Sequence, residues 1–459
     1  NFPHIVNKNW HYENIVLLGD AKATAHYSIG SGTKLAMESA IALSDAIKKH
    51  PTEPKAVFEH YEEKRRTRVE MIQYAAEVSL EWFENMDTHI QHPFFQFAFG
   101  VMTRAKKVTF ENLSLRDPSF TQKVLTEFNQ LHNNSPETPA AFTPYQLGPI
   151  ELDNRIAMAP MGQYLAKNGI VNQWHTTHYG TRAIGGVGLI ITEMTAISES
   201  GRITEGCAGL YNDEQALAWK KVCDFVHEFS TSKIGIQLGH SGRKGNKNIP
   251  WESEKAKTLN YPLLAPSAIA FDENSDVPKA MEKADFIEKE KQFVQSAKLA
   301  EKAGFDLIEL QAHHGFLLGS FISPLCNKRT DEYGGSLTNR LSFPLQVLKA
   351  IKKAVSKNMA LSVRISASDW HEGGITPEEV NKIALTFTEA GADIINVSTG
   401  GTVKDQNPKM GRMWQTAFSD KIRNETGVST ITCGNIQDID QINTILLNGK
   451  SDLVALGKP

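Results

Sequence analysis

Polar side chains lie at or just after several short apolar runs, and their types could serve a reaction. Gln237 and His240 belong to one run, Gln311 and His314 to the next, and Arg364 to a third. An amide can both donate to and accept from the edge of a heterocycle. A buried arginine is costly unless it meets a negative partner. Reduced flavin offers such a partner, because negative charge develops at its N1/C2=O edge.

Glycines follow the last two apolar runs, where they would let backbone N–H groups approach a phosphate closely. The pairs are Gly434-Asn435 and Gly457-Lys458, and the lysine would add a positive charge. Taken singly, such glycine pairs are usually turns, and a lone strand arginine is usually a member of an ion pair. Their meaning depends on whether the fold brings them to one place.

The elements that must position these residues follow a regular alternation. Short apolar, β-branched runs predict eight strands at 155–160, 187–193, 233–240, 306–312, 360–366, 393–398, 429–434 and 452–457. Amphipathic patterns predict helices at 175–184, 213–229, 285–303, 337–356, 376–390, 419–425 and 438–447. Strands that are apolar throughout are buried on both faces, as in a parallel sheet covered by helices.

Eight such units predict an α/β fold, the (β/α)8 TIM barrel, with its active site at the carboxyl ends of the strands. An open doubly wound sheet is the alternative, but the GxGxxG turn expected after its first strand does not occur in the sequence. On a barrel, the polar residues and glycine pairs described above share one rim. There they predict a phosphate-bearing cofactor.

Composition and net charge limit the kinds of partner and ligand that the chain is expected to bind. The 459 residues carry a net charge of −3, which provides no excess of lysine and arginine for a nucleic acid. No apolar run reaches the roughly 18 residues of a membrane span. The four cysteines lie far apart without a CxxC pair and predict free thiols in a reducing cytoplasm. His175 and His178 have tolerable metal spacing, but without a third ligand nearby we expect a structural role.

Long ordered motifs from about Phe142 onward resemble the old yellow enzyme family. They read NRIAMAPM, RAIGGVG, GLIITE, KIGIQLGHSGRKG, APSAIAF, NKRTDEYGGSLTNR and VRISASD. The resemblance implies an FMN barrel that oxidises NAD(P)H and reduces activated C=C bonds of a small-molecule substrate. It places Tyr164 near the substrate. It also implies FMN contacts from Pro160, Met161, Gly162, Met194, Gln237, Arg364, Gly434, Gly457 and Lys458.

The sequence departs from the family pattern at the fourth strand. The family usually has HxxH or HxxN there, followed two residues later by tyrosine, whereas this chain has Gln311, His314 and Phe316. The paired donors normally stabilise the substrate oxyanion, and Gln311 retains an N–H for that role. Phe316 cannot donate a proton, and losing a positioned acid costs on the order of 10²–10⁴ in rate. We therefore expect flavin reduction to survive better than ene reduction. Lys458, in place of the usual arginine, would bind phosphate as a point charge.

A second cofactor-like signature precedes the barrel. Gly19-Asp20 and the SIGSGTKLAMESAIALSDAI segment resemble the second flavin motif of aromatic-ring FAD monooxygenases of the para-hydroxybenzoate hydroxylase type. In that motif the Asp20 carboxylate would accept from ribityl hydroxyls. A strand at 14–18 and helices at 33–49, 54–86 and 93–107 are predicted. We expect residues 1–131 to be the C-terminal part of such a domain, 132–144 a linker, and 145–459 the barrel, truncated after its eighth strand.

A monooxygenase joined to such a barrel resembles the bifunctional salicylyl-CoA 5-hydroxylase and 2-aminobenzoyl-CoA monooxygenase/reductase proteins. That resemblance implies FAD in the complete protein and an aromatic CoA thioester as substrate, and the chain is expected to be a piece of a longer protein. Two alternatives remain open: an NAD(P)H oxidase or electron-transfer flavoprotein without ene reduction, and an inert assembly module that forms a homo-oligomer.

Overall fold

The computed structural model describes residues 4–252 and 259–457. The chain divides into two compact units, Asn1–Val124 and Leu125–Pro459, with the division inside one helix. Among the described residues, none of the helices combines the length and the apolar character needed to cross a bilayer. The four cysteines are all free and buried.

The first unit is mostly helical. A short antiparallel pair, β1 (His11–Tyr12) and β2 (Ile15–Val16), precedes two 3-10 turns at Gly19–Ala21 and Tyr27–Ile29. The helices are α1 (Gly32–Lys49), α2 (Pro54–Glu84), α3 (Met86–His89), α4 (Phe94–Thr103), α5 (Phe110–Arg116) and α6 (Pro118–Leu131), the last of which runs into the second unit. Alanines 42 and 46 of α1 pack with Trp10 and Tyr61 in its core. The predicted helical character of this part is confirmed.

The second unit contains a closed barrel of eight parallel strands, which follow one another around the barrel in chain order. These strands are β5 (Ile156–Met158), β6 (Leu189–Ala196), β7 (Lys233–Gly239), β10 (Leu307–Ala312), β11 (Ala360–Ser366), β12 (Ile394–Ser398), β13 (Thr430–Thr432) and β14 (Leu453–Leu456). The pairing of β14 with β5 closes the barrel. The predicted (β/α)8 fold is confirmed.

Helices cover the outside of the barrel. They are α7 (Gln173–Ile184), α8 (Asp213–Phe229), α9 (Lys283–Ala303), α10 (Leu317–Ile322), α11 (Leu337–Ala354), α12 (Pro377–Glu389), α13 (Thr416–Thr426) and α14 (Ile439–Leu447). Helix α12 begins where the sequence signals it, because Thr376 and Glu379 form a capping box before Pro377 at the first helical position. Helix α10 was not predicted, since six residues are too few to show a helical period.

Two small strand pairs complete the second unit. The hairpin β3 (Tyr145–Leu147) and β4 (Ile150–Leu152) buries Leu147 and Leu152 in a cluster that contains the first residues of five barrel strands. The hairpin therefore closes the amino-terminal end of the barrel. The parallel pair β8 (Leu264–Ala265) and β9 (Lys279–Ala280) lies in the connection after β7.

The packing of α12 on the barrel predicts that two of its apolar residues contribute very differently to the free energy of unfolding. Phe387 is 0% exposed in the main core, whereas Leu385 of the same helix is 37% exposed. We expect Phe387→Ala to lower the free energy of unfolding of the barrel by about 3–5 kcal/mol, because it removes apolar contacts and leaves a cavity. Leu385→Ala, the matched control, is expected to change it by about 0.5 kcal/mol or less. Urea unfolding followed by circular dichroism measures both, and equal losses would contradict the assigned packing.

Candidate active site

Unusual backbone conformations gather at the carboxyl ends of the barrel strands. Tyr164 after β5, His314 after β10 and Asn435 after β13 each have φ near +52° without being glycine. Gly434 precedes Asn435 with φ +107°. Such left-handed residues cost about 1–3 kcal/mol each and cluster at functional sites. The three non-glycine residues are all ones that the sequence singled out, and their placement on one rim identifies this end as the candidate site.

Arg364 is a buried cation without an anionic partner among the described residues. It lies on β11 and is 7% exposed. Its polar contacts are long: 3.5 Å from Nη2 to Ser398 Oγ and 3.8 Å to Cys433 Sγ. The Nε atom is buried and makes no hydrogen bond. A guanidinium held in this way is suited to a negatively charged group that enters the barrel mouth.

Gln237 is held in one orientation by a carboxylate inside the barrel. Its Nε2 donates to Glu309 Oε1 at 2.8 Å. Glu309 is completely buried, and its Oε2 accepts from Ser362 Oγ at 2.9 Å and from Asn396 Nδ2 at 2.8 Å. Gln237 therefore turns its carbonyl oxygen away from Glu309 and towards Gln311, and the second lone pair of that oxygen can accept a hydrogen bond from a heterocycle.

The fourth-strand motif brings amide and imidazole groups together. Gln311 Nε2 donates to Gln237 Oε1 at 3.4 Å, and its own Oε1 is buried without a partner. His314 Nε2 lies 2.8 Å from Ser398 Oγ. His313, which the sequence reasoning passed over, lies with its Nε2 3.4 Å from Gln237 Nε2. Burial lowers the pKa of both histidines well below the usual value, with neighbouring charges adding to the effect. Both are neutral imidazoles at neutral pH.

Lys244 joins three strand-end loops. It lies in the turn after β7, and its Nζ donates to the carbonyl oxygens of His314 at 2.8 Å and Gly401 at 2.9 Å. Its ammonium group lies 4.7 Å from the ring centre of Phe316 and 4.5 Å from that of Phe271. Burial, with a smaller effect from the positive charge of Arg243, lowers the pKa of Lys244 to about 8. The motif GRK carried this residue in the sequence, but nothing local linked it to the fourth strand.

A buried network fixes the loop that carries Tyr164. Glu193 Oε2 accepts from the backbone N–H of Gln163 at 2.8 Å, and Tyr179 donates to Oε1 at 3.4 Å. His175 Nδ1 accepts from the N–H of Asn172, which leaves Nε2 as the protonated nitrogen 3.3 Å from Glu193 Oε1. His175 is thus engaged in structure. Among the described residues, no cluster of His, Cys, Asp and Glu could hold a metal ion.

Tyr164 faces Gly162 across this loop. A Cβ atom at Gly162 would lie 2.9 Å from the Tyr164 ring, so any larger residue would displace that ring. Trp251 approaches Tyr164 from the other side with 6.1 Å between ring centres. Burial raises the pKa of the Tyr164 hydroxyl to about 12, so it stays protonated at neutral pH.

The remaining predicted residues lie on the same rim. Pro160 and Met161 follow β5, Met194 lies in β6 at an irregularity of its pairing with β7, and Gly457 follows β14. A Cβ at Gly457 would lie 3.5 Å from Met161 Sδ, so these two loops are adjacent. Lys458 lies outside the described residues. Gly19 and Asp20 belong to the first unit, where they form a 3-10 turn.

Comparison with known proteins identifies the family of the barrel. Residues 140–459 match the model of the NADH:flavin oxidoreductase / NADH oxidase family. The chain belongs to this family. NADPH dehydrogenases from Listeria monocytogenes and Clostridium acetobutylicum are 40% and 41% identical over 319 and 321 residues, which are 69% of this chain and 90% of each relative. The barrel is thus a flavin-dependent NAD(P)H oxidoreductase of the old yellow enzyme type, and the family's cofactors are FMN and NAD(P)H.

Solved structures show the same fold. Morphinone reductase superposes with a TM-score of 0.59 at 27% identity, covering 70% of this chain and 86% of its own. A 2-naphthoyl-CoA reductase superposes with a TM-score of 0.64 at 22% identity, covering 70% and 50%. At that identity the second likeness establishes the fold alone.

The residues of this flavin oxidoreductase fit FMN. The unpaired guanidinium of Arg364 suits the negative edge of a reduced flavin, and the oriented amide of Gln237 suits its pyrimidine edge. Gly434, with φ +107°, allows a tight turn after β13 that exposes backbone N–H groups to a phosphate.

The unpaired charge of Arg364 predicts opposite effects on cofactor binding and on stability. We expect Arg364→Met to weaken FMN binding about 10- to 100-fold, since it removes a hydrogen bond to a charged group. The same change should stabilise the flavin-free protein, because it removes a buried cation that lacks an anion. Fluorescence titration with FMN and urea unfolding measure the two effects. Arg182→Met, on the exposed face of α7, is the control and should leave both unchanged. Destabilisation of the flavin-free Arg364→Met protein would contradict the argument.

Proposed function

We propose that this barrel is an NAD(P)H-dependent ene reductase that acts on the C=C bond of an α,β-unsaturated carbonyl compound. One observation carries the proposal: Gln311 and His314 lie at the carboxyl rim, close to the unpaired Arg364 and the oriented Gln237. FMN, when bound, would supply the hydride-transfer chemistry between NAD(P)H and an acceptor. The protein then has to hold the acceptor and stabilise the charge that develops on its oxygen.

The cofactor-binding part of the proposal assigns three roles. Arg364 and Gln237 hold the pyrimidine edge, and the glycine turns after β13 and β14 hold the phosphate. The loops after β5 and the irregular part of β6 contact the ring. The proposed FMN contacts are Pro160, Met161, Gly162, Met194, Gln237, Arg364, Gly434, Asn435, Gly457 and Lys458.

The substrate-binding part rests on donor geometry. Gln311 donates through Nε2 to a carbonyl oxygen, and the neutral imidazole of His314 offers a second N–H once it turns from Ser398. Neutral donors stabilise an oxyanion through hydrogen bonds and keep their own protons. Tyr164 and Trp251 flank the entrance, where an apolar or aromatic ring of the substrate would pack. Morphinone reductase, at 27% identity, is by its name a reductase of an organic acceptor, which supports this class of reaction.

An NAD(P)H oxidase without ene reduction is the second candidate, and Phe316 favours it. A phenylalanine at that position supplies no proton to the substrate carbon. The two candidates share flavin reduction and differ in what re-oxidises the flavin.

Anaerobic titration separates these candidates. We expect the purified holoprotein to be yellow, to bleach on stoichiometric NADPH, and to regain its colour when 2-cyclohexenone is added without oxygen. Recovery of colour only after oxygen is admitted would favour the oxidase. Cyclohexanone, which lacks the C=C bond, is the matched control and should leave the protein bleached.

We further propose that residues 1–131 belong to an FAD monooxygenase domain and that the barrel reduces the dearomatised ring of an aromatic CoA thioester. Gly19 supports the FAD part, because its φ of +58° forms a turn near α1, where an added Cβ would lie 3.8 Å from Ala36 Cβ, and Asp20 is exposed. Gly30, also left-handed, lies two residues before the start of α1 at Gly32. The CoA part rests on the resemblance of the two joined segments.

Flavin analysis of the full chain tests the FAD assignment. We expect FMN alone to be released from the barrel after denaturation, and added FAD to bind the FMN-saturated protein at a second site. Asp20→Asn should weaken that second site about tenfold, since it removes a charged hydrogen-bond acceptor. Glu13→Gln, an exposed substitution outside the flavin motif, is the control. FAD binding that is unaffected by Asp20→Asn would remove Asp20 from the site.

A further inference from the structure

We propose that Lys244 is the proton donor of the C=C reduction, a role that Phe316 cannot fill. The inference rests on the proposed ene reductase function. Hydride addition to the β-carbon moves the π electrons onto the carbonyl oxygen as an enolate. The enolate then forms a C–H bond at the α-carbon while an N–H bond of the Lys244 ammonium breaks. The neutral amine that remains takes a proton from water, so atoms and charge balance.

The geometry places Lys244 beside the oxyanion donors. Its Nζ is fixed by the carbonyl oxygens of His314 at 2.8 Å and Gly401 at 2.9 Å. An ammonium group has three N–H bonds, so one remains after these two contacts. Nζ therefore contacts the backbone of the residue whose imidazole is proposed to hold the substrate oxygen.

The surroundings leave this group accessible to a substrate. Lys244, His314 and Phe316 are each only half-buried, whereas Arg364 and Gln311 lie deep in the barrel mouth. The aromatic rings of Phe271 and Phe316 lie within 5 Å of the ammonium group. These rings stabilise the cation without offering a carboxylate that would hold its proton.

Other described groups near the Gln311 and His314 pair are poor acids. Burial holds the pKa of the Tyr164 hydroxyl at about 12 and that of the Cys326 thiol at about 11. His313 and His314 are neutral because burial lowers their pKa, and a neutral imidazole gives up its remaining proton reluctantly. A general acid works best when its pKa is near the operating pH. Lys244, at about 8, is the group that meets this condition.

Burial, together with the charges that face Lys244, explains its lowered pKa. Removal of the ammonium group from water is the largest cause of the lowered pKa, followed by the positive charges of Arg243 and Lys247, while Cys326 acts in the opposite direction. His313 and His314 face it from the loop after β10 as neutral groups. Lys244 donates only in its protonated form. Enone reduction should therefore be full below pH 8 and decline as the pH rises through about 8.

Rapid-mixing kinetics on the holoprotein test this role. Lys244→Met keeps most of the side-chain length but removes the acidic proton. We expect it to slow re-oxidation of the flavin by 2-cyclohexenone by about 10²–10⁴ relative to reduction of the flavin by NADPH. The decline near pH 8 should disappear as well. Lys302→Met is the control, since Lys302 is exposed on α9 and its Nζ donates to Asp213 Oδ1.

Replacing the missing acid provides a rescue. In the Lys244→Met background, Phe316→Tyr should restore at least about tenfold of the lost enone rate, because a phenol then supplies the proton. In the wild-type background the same change should give a smaller gain. A gain of equal size in both backgrounds would show that Lys244 and position 316 act independently, and would overturn the proposal.

Equilibrium binding gives a readout without turnover. p-Nitrophenolate mimics the planar, negatively charged enolate and changes absorbance when it binds. We expect the wild type to bind it more weakly as the pH rises through about 8, and Lys244→Met to bind it at least about tenfold more weakly below that pH.

These experiments distinguish a failure of the proposed ene reductase function from a failure of the proposed role of Lys244. If 2-cyclohexenone fails to re-oxidise the wild-type flavin, the proposed ene reductase function is wrong. If the wild type reduces the enone and Lys244→Met keeps both the rate and the pH profile, the function stands and Lys244 is not the donor. If Lys244→Met slows NADPH oxidation as much as enone reduction, the residue serves the structure of the loops, which also overturns the proposal.

Discussion

Closure of the eight parallel strands is the constraint on which the rest of this barrel depends. Each barrel strand pairs with two neighbours, and the last pair, β14 with β5, leaves no open edge. Since every strand runs in the same direction, all eight carboxyl ends lie on one rim. The hairpin at residues 145–152 fills the opposite end with leucine and isoleucine side chains. One end of the barrel is therefore a packed core and the other is available for chemistry.

Positive charge at the open end of the barrel is not neutralised by ion pairs among the described residues. Arg364 and Lys244 bring positive charge to the rim, and neither makes an ion pair with a described carboxylate. The buried carboxylate of Glu309 accepts hydrogen bonds only from the uncharged donors Gln237, Ser362 and Asn396 among the described residues, and it orients Gln237. Two cations without ion-pair partners in a partly dry site favour anionic ligands such as a phosphate, a reduced flavin edge or an enolate. Burial, with a smaller effect from Arg243, lowers the pKa of Lys244 and allows it to lose a proton.

Several residues that the sequence marked have strained backbones, and long-range contacts stabilise the loops that carry them. Tyr164, His314 and Asn435 keep left-handed backbones that side chains rarely adopt. Glu193 stabilises one of these loops through the Gln163 N–H, and Lys244 stabilises another through the His314 carbonyl. A rigid barrel can support such conformations because the strands on either side fix the ends of each loop.

The sequence by itself determined the strand and helix order of the barrel. Eight runs of apolar residues predicted eight strands, and β11 was predicted with its observed bounds, Ala360–Ser366. Other strands had different bounds: residues 187–193 and 429–434 were predicted, whereas β6 covers Leu189–Ala196 and β13 covers Thr430–Thr432. Apolar periodicity is a local signal, so it locates an element well and its ends poorly.

Only the tertiary structure decided which polar groups meet. Gln311 and His314 were visible as a motif, but the contact of His314 with Ser398 spans 84 residues and that of Lys244 with Gly401 spans 157. Glu309 was read as part of an apolar strand, and its role in orienting Gln237 emerged from the closed barrel interior. Spacing in a sequence fixes neighbours on one element, whereas closure of the sheet fixes neighbours between elements. The site depends on contacts between elements, so its proposed donors could be named from the sequence, whereas the proposed proton source could not.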